Sequence, residues 1–280
     1  MSTQKSFDVH NHWLSAEQAT IDKVTGKDSG AYASGLPDTI VIHYTGGPSL
    51  RSAVNTFKNP EVRASAHIVI DYDGSVVQLI PFNRRAWHAG QSQWGERTSL
   101  NQYSIGIEIV NPGYLMQHGN IWYGMFQDRY EADKVIQAVH ANEQKPRWWR
   151  VFEPEQIAAC KALCEALIET YNIKEILGHD EISPGRKQDP GPAFPLERIR
   201  TRLLDTNRSD ETGPTPTERR QGTVTASSLN IRKAPNAGSD RVADPLPKGT
   251  SVRILKEENG WMQVETPLKG WVSAQFVNER

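Results

Sequence analysis

The sequence lacks the features that mark several large classes of protein. Its longest apolar stretches, such as Thr39–Ile42 and Ile105–Val110, are short, whereas a membrane-spanning helix needs about 20 apolar residues. Its net charge is only −1, so it has no overall positive field of the kind that attracts nucleic acid. We therefore expect no membrane span and no nucleic-acid partner.

Cysteine is scarce as well. Cys160 and Cys164 are the two cysteines, and their spacing in a helical pattern places them on one helix face, in poor geometry for a mutual disulfide. We interpret them as small apolar core residues that do not indicate a compartment. Residues 1–27 also lack the basic and then apolar pattern of a secretory signal.

Large apolar residues are missing from residues 205–222, which are rich in Thr, Pro, Gly and charge. This composition is typical of a linker. We divide the chain into a first domain at 1–204, with its core at about 39–200, a linker at 205–222 and a second domain at 223–280.

The first domain alternates strand and helix patterns. Runs of apolar residues predict strands at Ile40–Tyr44, His67–Asp71, Val76–Ile80, Ile105–Val110 and Ile173–Leu177. Asp73-Gly74 predicts a hairpin, and apolar residues at every third or fourth position predict a helix over Glu153–Tyr171. The predicted fold class is mixed α/β, with helices flanking a central sheet.

The second domain has short β-rich segments separated by turn residues. The predicted strands are Leu229–Arg232, Ser251–Lys256, Met262–Glu265 and Gly270–Val272. The sequences Pro247-Lys248-Gly249 and Asn259-Gly260 are typical of turns between strands. We expect a small all-β barrel.

Two histidines and one aspartate form a candidate metal site. His43 and His179 each follow an apolar strand, and Asp189 comes after a loop with several prolines and glycines. Three protein ligands with a fourth position left for water are typical of catalytic zinc. Each of these residues alone is more often an isolated polar side chain, so the spacing by itself is weak support.

Glu108 and Lys187 supply the chemistry that such a site needs. Strand periodicity puts Ser104, Gly106 and Glu108 on one face, where the small residues leave space around the carboxylate. Glu108 is a candidate general base, and Lys187, close to Asp189, could stabilise an oxyanion. The alternatives are a glutamate on a solvated face and a solvated loop lysine.

At these residues the sequence resembles a known family, the N-acetylmuramoyl-L-alanine amidases of the AmpD and AmiD type. The motifs that carry the resemblance are Ile42-His43-Tyr44, Ser65-Ala66-His67, Arg85 to Gly90, Ser104 to Glu108, Gly178-His179-Asp180 and Asp189-Pro190-Gly191-Pro192. The resemblance covers roughly Thr39 to Arg200. This family is related to a phage lysozyme and to the peptidoglycan recognition proteins.

The resemblance implies one zinc ion per chain and hydrolysis of the amide between N-acetylmuramic acid and L-alanine in peptidoglycan or muropeptides. It implies that His43, His179 and Asp189 bind the metal, that Glu108 is the base and that Lys187 stabilises the oxyanion. Residues implied to contact substrate are Arg63, Trp87, His88 and Arg186. A non-catalytic peptidoglycan receptor with the same cleft, or a zinc hydrolase of another amide, are the alternatives.

The segment from Asn111 to Phe152 departs from the shortest family members. Within it, Asp128–Asn142 has a helical pattern and Trp148-Trp149 is an aromatic pair. The segment follows the Glu108 strand, so it could border the cleft, although packing of these aromatics under a loop is the interpretation we favour.

The second domain resembles a bacterial SH3-like domain, on motifs such as Ser228 to Pro235, Leu246 to Thr250, Glu258 to Val264 and Gly270-Trp271-Val272. The resemblance implies contact with cell-wall peptide; a spacer or dimer contact is the alternative. We expect action on the cell envelope, in the periplasm or wall, and a cytoplasmic or phage-like origin stays open because no signal peptide is visible.

Overall fold

The computed structural model describes residues 5–204, 221–258, 260–266 and 269–279. The predicted linker lies outside these residues, except for Gln221 and Gly222, which begin a strand. The chain forms two compact units. The first comprises Met1–Gly113, Gly124–Asp128 and Glu155–Gly191, and the second comprises Tyr114–Tyr123, Arg129–Pro154 and Pro192–Arg280.

Among the residues that the structure describes, strands are more numerous than helices in both units. In chain order the α-helices are α1 Leu50–Lys58, α2 Pro154–Tyr171, α3 His179–Ile182 and α4 Leu196–Leu204, with 3-10 turns at Leu100–Gln102, Ala132–Lys134 and Ala274–Phe276. The strands up to the insert are β1 Val9–His10, β2 Trp13–Leu14, β3 Thr20–Ile21, β4 Asp28–Ala31, β5 Thr39–Tyr44, β6 Ile68–Ile70, β7 Val76–Gln78, β8 Arg84–Ala86, β9 Gln93–Trp94, β10 Arg97–Thr98 and β11 Ser104–Ile109. The later strands are β12 Tyr114–His118, β13 Ile121–Tyr123, β14 Arg129–Tyr130, β15 Val135–Val139, β16 Pro146–Arg150, β17 Glu175–Gly178, β18 Gln221–Val224, β19 Ser228–Leu229, β20 Leu246–Pro247, β21 Ser251–Glu258, β22 Trp261–Glu265, β23 Lys269–Ser273 and β24 Val277–Glu279.

A mixed six-stranded sheet is the centre of the first unit, and its strand order is β17-β5-β11-β6-β7-β3. Strands β17, β5, β11 and β6 are parallel, and β7 is antiparallel to β6. Gly74 forms the turn of this hairpin with φ of +77°, a conformation that glycine adopts without strain. The structure confirms the predicted α/β class, the predicted strands and the predicted hairpin.

Two longer helices accompany this sheet. Helix α1 begins after Ser49, whose side chain accepts a hydrogen bond from the Ser52 amide, and it buries Ala53, Val54 and Phe57 in the core. Helix α2 confirms the predicted helix, and the apolar positions in its middle are fully buried. These positions are Cys160, Leu163, Cys164 and Leu167. Both cysteines are free, as predicted.

The insert is a β-structure and not a helix, so the helix predicted at Asp128–Asn142 is wrong. Strands β14-β13-β12-β16-β15 form a five-stranded sheet in the second unit. Val135–Val139 pairs with Pro146–Arg150 along its whole length, and Trp149 is 1% exposed. Trp149 therefore packs inside the protein on a paired strand, whereas the favoured interpretation is packing of the aromatic pair under a loop.

The C-terminal part of the second unit is all β, as predicted. Its antiparallel sheet has the order β23-β22-β21-β18-β24, beside a two-stranded ladder of β19 and β20. Apolar side chains from these strands form one core, against which Ile136 and Val151 of the insert also pack. Most of the insert, Tyr114–Tyr123 and Arg129–Pro154, therefore shares a compact unit with the C-terminal residues. No helix among the described residues is long and apolar enough to cross a membrane.

Candidate metal centre

The site lies at the carboxyl ends of three neighbouring parallel strands, which is where open α/β sheets place their functional side chains. Strand register pairs Glu108 of β11 with His43 of β5, so both side chains lie on the same face. Gly178, the last residue of β17, pairs with Ile42. His179 follows directly and therefore lies next to His43.

The loop before Asp189 brings a carboxylate to these histidines. The amides of Arg186 and Lys187 donate to the Ser183 carbonyl at 3.2 and 3.0 Å, and the Asp180 amide donates to the Asp189 carbonyl at 2.7 Å. These hydrogen bonds hold the loop against the start of α3. The backbone thus fixes the offset between His179 and Asp189 that the sequence suggests.

The predicted ligands converge on one point. His43 Nδ1 is 2.9 Å from His179 Nδ1, and each of these nitrogens is 2.9 Å from Asp189 Oδ2. All three side chains are buried. They are the group of potential metal ligands found in the described part of the chain.

The donor chemistry of this cluster fits a zinc ion. His179 Nε2 lies 3.0 Å from the Ala89 carbonyl oxygen, which can only accept, so Nε2 carries the proton and Nδ1 is left with a lone pair. Burial, reinforced by the neighbouring His179, lowers the pKa of His43 to about 4, so its ring is neutral at pH 7. Two imidazole nitrogens and one carboxylate oxygen are a ligand set that zinc prefers.

The charge of Asp189 is also suited to a cation. Burial acts to raise the pKa of this carboxyl, but its contacts with His179 and His43 hold the pKa well below the usual range. Asp189 is therefore ionised at neutral pH. A buried carboxylate beside two imidazole nitrogens is costly unless a cation or hydrogen-bond donors compensate it.

Glu108 is buried close to this cluster, and its Oε2 has no hydrogen-bond partner among the described residues. Burial, and then the negative charge of Asp189, raise the pKa of Glu108 well above its ordinary value, while the positive charge of Lys187 opposes the shift. A carboxyl with a raised pKa and a free oxygen is a good candidate for proton transfer.

A cavity of about 480 Å³ opens above these groups. The metal-ligand cluster, Glu108 and Lys187 all line it. Apolar wall residues such as Phe57 and Trp87 and polar ones such as Thr45 and Ser65 complete the lining. A cavity of this size with a few convergent polar groups is typical of a small-molecule or peptide site.

The residues expected to contact substrate lie in different places. Trp87 lines the cavity and its Nε1 donates to Ser29 Oγ at 2.8 Å. Arg186 also lines it, but its guanidinium donates to the carbonyls of Ala89 and Gln91 at 3.0 and 2.6 Å. Arg63 is exposed and is not part of the cavity lining.

His88 lines the cavity, whereas His67 is fully buried and is not part of the lining. The resemblance implies a cleft-wall position for His88, which is 8% exposed and whose Nδ1 is 3.0 Å from His43 Nε2. His67 is held by two backbone contacts: its Nε2 donates to the Arg84 carbonyl at 2.8 Å, and its Nδ1 accepts from the Gly106 amide at 3.0 Å.

Phe126, in the insert, is a cavity-lining residue that the sequence does not single out. The one signal for it is the position of the insert directly after the Glu108 strand. The conspicuous aromatic pair of the insert, Trp148-Trp149, does not line the cavity.

The chain is similar to known proteins in both of its parts. Residues 33–192 match the family described as N-acetylmuramoyl-L-alanine amidase, and residues 227–278 match the bacterial SH3 domain. The chain is 32% identical over 169 residues to N-acetylmuramoyl-L-alanine amidase AmiD of Escherichia coli, covering 57% of this chain and 51% of that protein. It is 36% identical over 141 residues to the 1,6-anhydro-N-acetylmuramyl-L-alanine amidase AmpD of the same organism, covering 50% and 58%.

The chain thus spans about half the length of the curated relatives it matches. Solved structures with similarity include Citrobacter freundii AmpD, at 25% identity and a TM-score of 0.45, covering 73% of this chain and 99% of that one. Another is E. coli AmiD with anhydro-N-acetylmuramic acid-L-Ala-D-gamma-Glu-L-Lys, at 24% identity and a TM-score of 0.45, covering 76% of each.

Proposed function

The chain belongs to the N-acetylmuramoyl-L-alanine amidase family, and from this membership and the site geometry we propose that it hydrolyses the amide between N-acetylmuramic acid and L-alanine in peptidoglycan or muropeptides. The observation that carries the proposal is the convergence of His43, His179 and Asp189 in a cavity that also contains the unpartnered Glu108 carboxyl. The AmpD relatives are named for anhydromuramyl substrates, so soluble muropeptides are included.

One zinc ion per chain would be held by His43, His179 and Asp189. When bound at such a site, zinc polarises a carbonyl oxygen and lowers the pKa of water to about 7. The chain's own residues then have two further tasks, which are to move a proton and to stabilise negative charge.

Glu108 is the proposed proton carrier. As a carboxylate it accepts a proton from the water that attacks the lactyl carbonyl. It then donates this proton to the L-alanine nitrogen as the carbon–nitrogen bond breaks, so that a free amine leaves. Its raised pKa strengthens it as a base, and the positive charge of Lys187 favours its ionised form.

Lys187 is the proposed oxyanion-stabilising residue. It lines the same cavity as Glu108 and Asp189, and its ammonium group can donate to the oxygen that gains negative charge as the carbonyl is attacked. Among the remaining residues, Trp87 and His88 would form the cleft wall, while Arg63 and Arg186 would meet anionic groups of the substrate.

The C-terminal domain would hold the enzyme near its substrate. A bacterial SH3 domain matches this region, and we propose that it contacts cell-wall peptide. Such tethering raises the local concentration of the catalytic site at a polymeric wall without requiring any change in that site.

Substitution of Glu108 tests the proposal against the receptor alternative. Purified wild type and the Glu108→Ala and Glu108→Gln variants are incubated with muropeptides, and release of free stem peptide is measured by chromatography together with zinc content. We expect zinc to be retained in all of them and turnover to fall by about 10²–10⁴-fold in both variants. Near-normal turnover in Glu108→Gln would refute the role of Glu108, and binding without product by wild type would favour the receptor.

A further inference from the structure

His88 occupies the space that Gly106 leaves open. Ser104, Gly106 and Glu108 share one face of β11, and a Cβ at position 106 would overlap the His88 ring. Asn101 Oδ1 also accepts hydrogen bonds from the His88 and Ala89 amides, at 3.1 and 2.7 Å. The ring is thus fixed between β11 and the metal-ligand cluster.

The hydrogen bonds of His88 determine where its proton lies. His88 Nε2 is 3.1 Å from the Ser104 carbonyl oxygen, which can only accept. The nearby Ser104 hydroxyl donates to the Leu100 carbonyl at 2.6 Å, so it has no proton left for His88. Nε2 of His88 is therefore the donor, and Nδ1 carries the lone pair.

This assignment sets the tautomer of His43 in turn. His43 Nε2 lies 3.0 Å from the His88 lone pair at Nδ1, so His43 donates from Nε2. Its Nδ1 is left with a lone pair that faces His179 and Asp189. Hydrogen bonds thus run in one direction, from His43 through His88 to the Ser104 carbonyl.

We propose, on the basis of the zinc site in the proposed function, that His88 is a positioning residue that holds His43 in the tautomer whose Nδ1 can bind the metal. Histidine ligands commonly depend on such a partner for their orientation and basicity. The sequence suggests only a cleft-wall role for this residue.

Two substitutions of His88 separate positioning from mere packing. His88→Phe fills the space but removes the acceptor for His43, whereas His88→Asn keeps an oxygen where Nδ1 lies. The Ser104 carbonyl retains its hydrogen bond from Tyr32, at 2.5 Å, in both variants. Zinc affinity is measured by competition with a chelator, and thermal unfolding of the zinc-free proteins reports on folding.

We expect zinc affinity to fall by about 10–100-fold in His88→Phe and to be largely restored in His88→Asn. Equal losses in the two variants, or no loss in His88→Phe, would overturn the proposal. Because affinity is measured without turnover, these outcomes stay distinct from failure of the amidase activity. A wild-type protein that binds no zinc would overturn both proposals.

A second observation concerns the tip of the insert, Gly124–Asp128, which groups with the first unit. The Gly124 amide donates to the Asp128 carbonyl at 2.9 Å, and the Gln127 amide donates to the Gly124 carbonyl at 3.1 Å. This tight turn presents Met125 and Phe126 with 65% and 61% of their surface exposed.

Phe126 differs from an ordinary exposed apolar residue because it lines the cavity of the metal-ligand cluster and Glu108. A single exposed apolar side chain needs no explanation. Met125 and Phe126 instead form an exposed apolar pair on a hydrogen-bonded turn, and Phe126 also lines a cavity, so the pair is placed to contact a ligand there.

We propose, again within the proposed function, that Phe126 contacts the sugar ring of the muramyl substrate. An aromatic face packs well against the apolar C–H face of a pyranose, whereas a stem peptide rich in carboxylates offers little apolar surface of that size. The insert would then supply part of the substrate specificity.

The test compares Phe126→Ala and Phe126→Trp with Met116→Ala, a matched control at an insert residue that is 48% exposed and does not line the cavity. We expect Phe126→Ala to raise KM about 5–10-fold with little change in kcat, and Phe126→Trp and Met116→Ala to behave like wild type. Inhibition by N-acetylmuramic acid should weaken in Phe126→Ala, while inhibition by free stem peptide should not. An unchanged KM, or weakened peptide inhibition alone, would overturn the proposal.

Discussion

The positive charge of Lys187 affects the pKa of both Glu108 and His43. It lines the cavity, and its positive charge opposes the rise in the pKa of Glu108 and contributes to the low pKa of His43. A neutral side chain would therefore remove an oxyanion donor without weakening the attraction of the cluster for a cation.

Lys187→Met should lower kcat by about 10²–10³-fold, with zinc content equal to or above that of wild type. Lys187→Arg, which keeps the charge, should retain more activity. Steady-state kinetics and metal analysis on the same preparations check this. Loss of zinc together with activity would show that Lys187 supports the metal site and not the oxyanion.

His67 makes stability depend on pH. It is fully buried as the neutral ring, and burial lowers its pKa to about 4, against 6.5 in an unfolded chain. The unfolded state thus binds more protons between these values, so stability is lost as pH falls below about 6.5.

On acidification from pH 7 to pH 5, the lowered pKa of His67 should reduce the free energy of unfolding by about 2 kcal/mol. Urea unfolding of wild type and His67→Gln at both pH values measures it. The variant should be less stable than wild type at pH 7, but its free energy of unfolding should fall less on acidification. Parallel pH dependence in the two proteins would contradict this assignment.

Single residues also show how far the sequence predicts the site. His43, Glu108, His179 and Asp189 can be found because each has a local signal, at a strand end or in a constrained loop. The position of His88 cannot, because it depends on which side chain enters the gap above Gly106, and that is decided by tertiary packing.

At the scale of elements, regular apolar patterns predict β5, β11 and α2 well. The prediction for the insert is wrong because Asp128–Asn142 contains Ala, Glu and Lys, which favour helices in isolation. Pairing of Val135–Val139 with Pro146–Arg150 overrides this preference. Strand preference depends on such partners, which the local sequence does not reveal.

Trp149 tests this pairing. It is 1% exposed, and its Nε1 donates to the Ala138 carbonyl on the neighbouring strand at 3.1 Å. Trp149→Ala should reduce the unfolding free energy by about 3–5 kcal/mol, whereas Trp148→Ala, at a half-buried position, should cost less. Chemical denaturation of both variants provides the comparison. Equal small effects would argue against the β-sheet of the insert.

At the scale of the whole molecule, both predicted kinds of domain can be identified because each carries its own motifs. The grouping of the insert and α4 with the C-terminal residues cannot be predicted in the same way. It arises from packing of side chains such as Ile136 and Val151 against a core far along the chain, and linear spacing gives no indication of that.

A bound ion should stabilise the folded chain. Zinc at about 1,000 times its Kd would add about 4 kcal/mol through preferential binding to the native state. Thermal unfolding with and without zinc should therefore show a higher Tm for wild type, and His179→Ala and Asp189→Ala should lose this shift. An equal zinc-dependent shift in the variants would place the ion elsewhere.

The most direct test of the proposed function is mass spectrometry of muropeptides digested by the zinc-loaded protein. We expect a free stem peptide that begins with L-alanine, together with a sugar that keeps its lactyl carboxylate. Intact muropeptides, or fragments cut within the stem peptide, would contradict it.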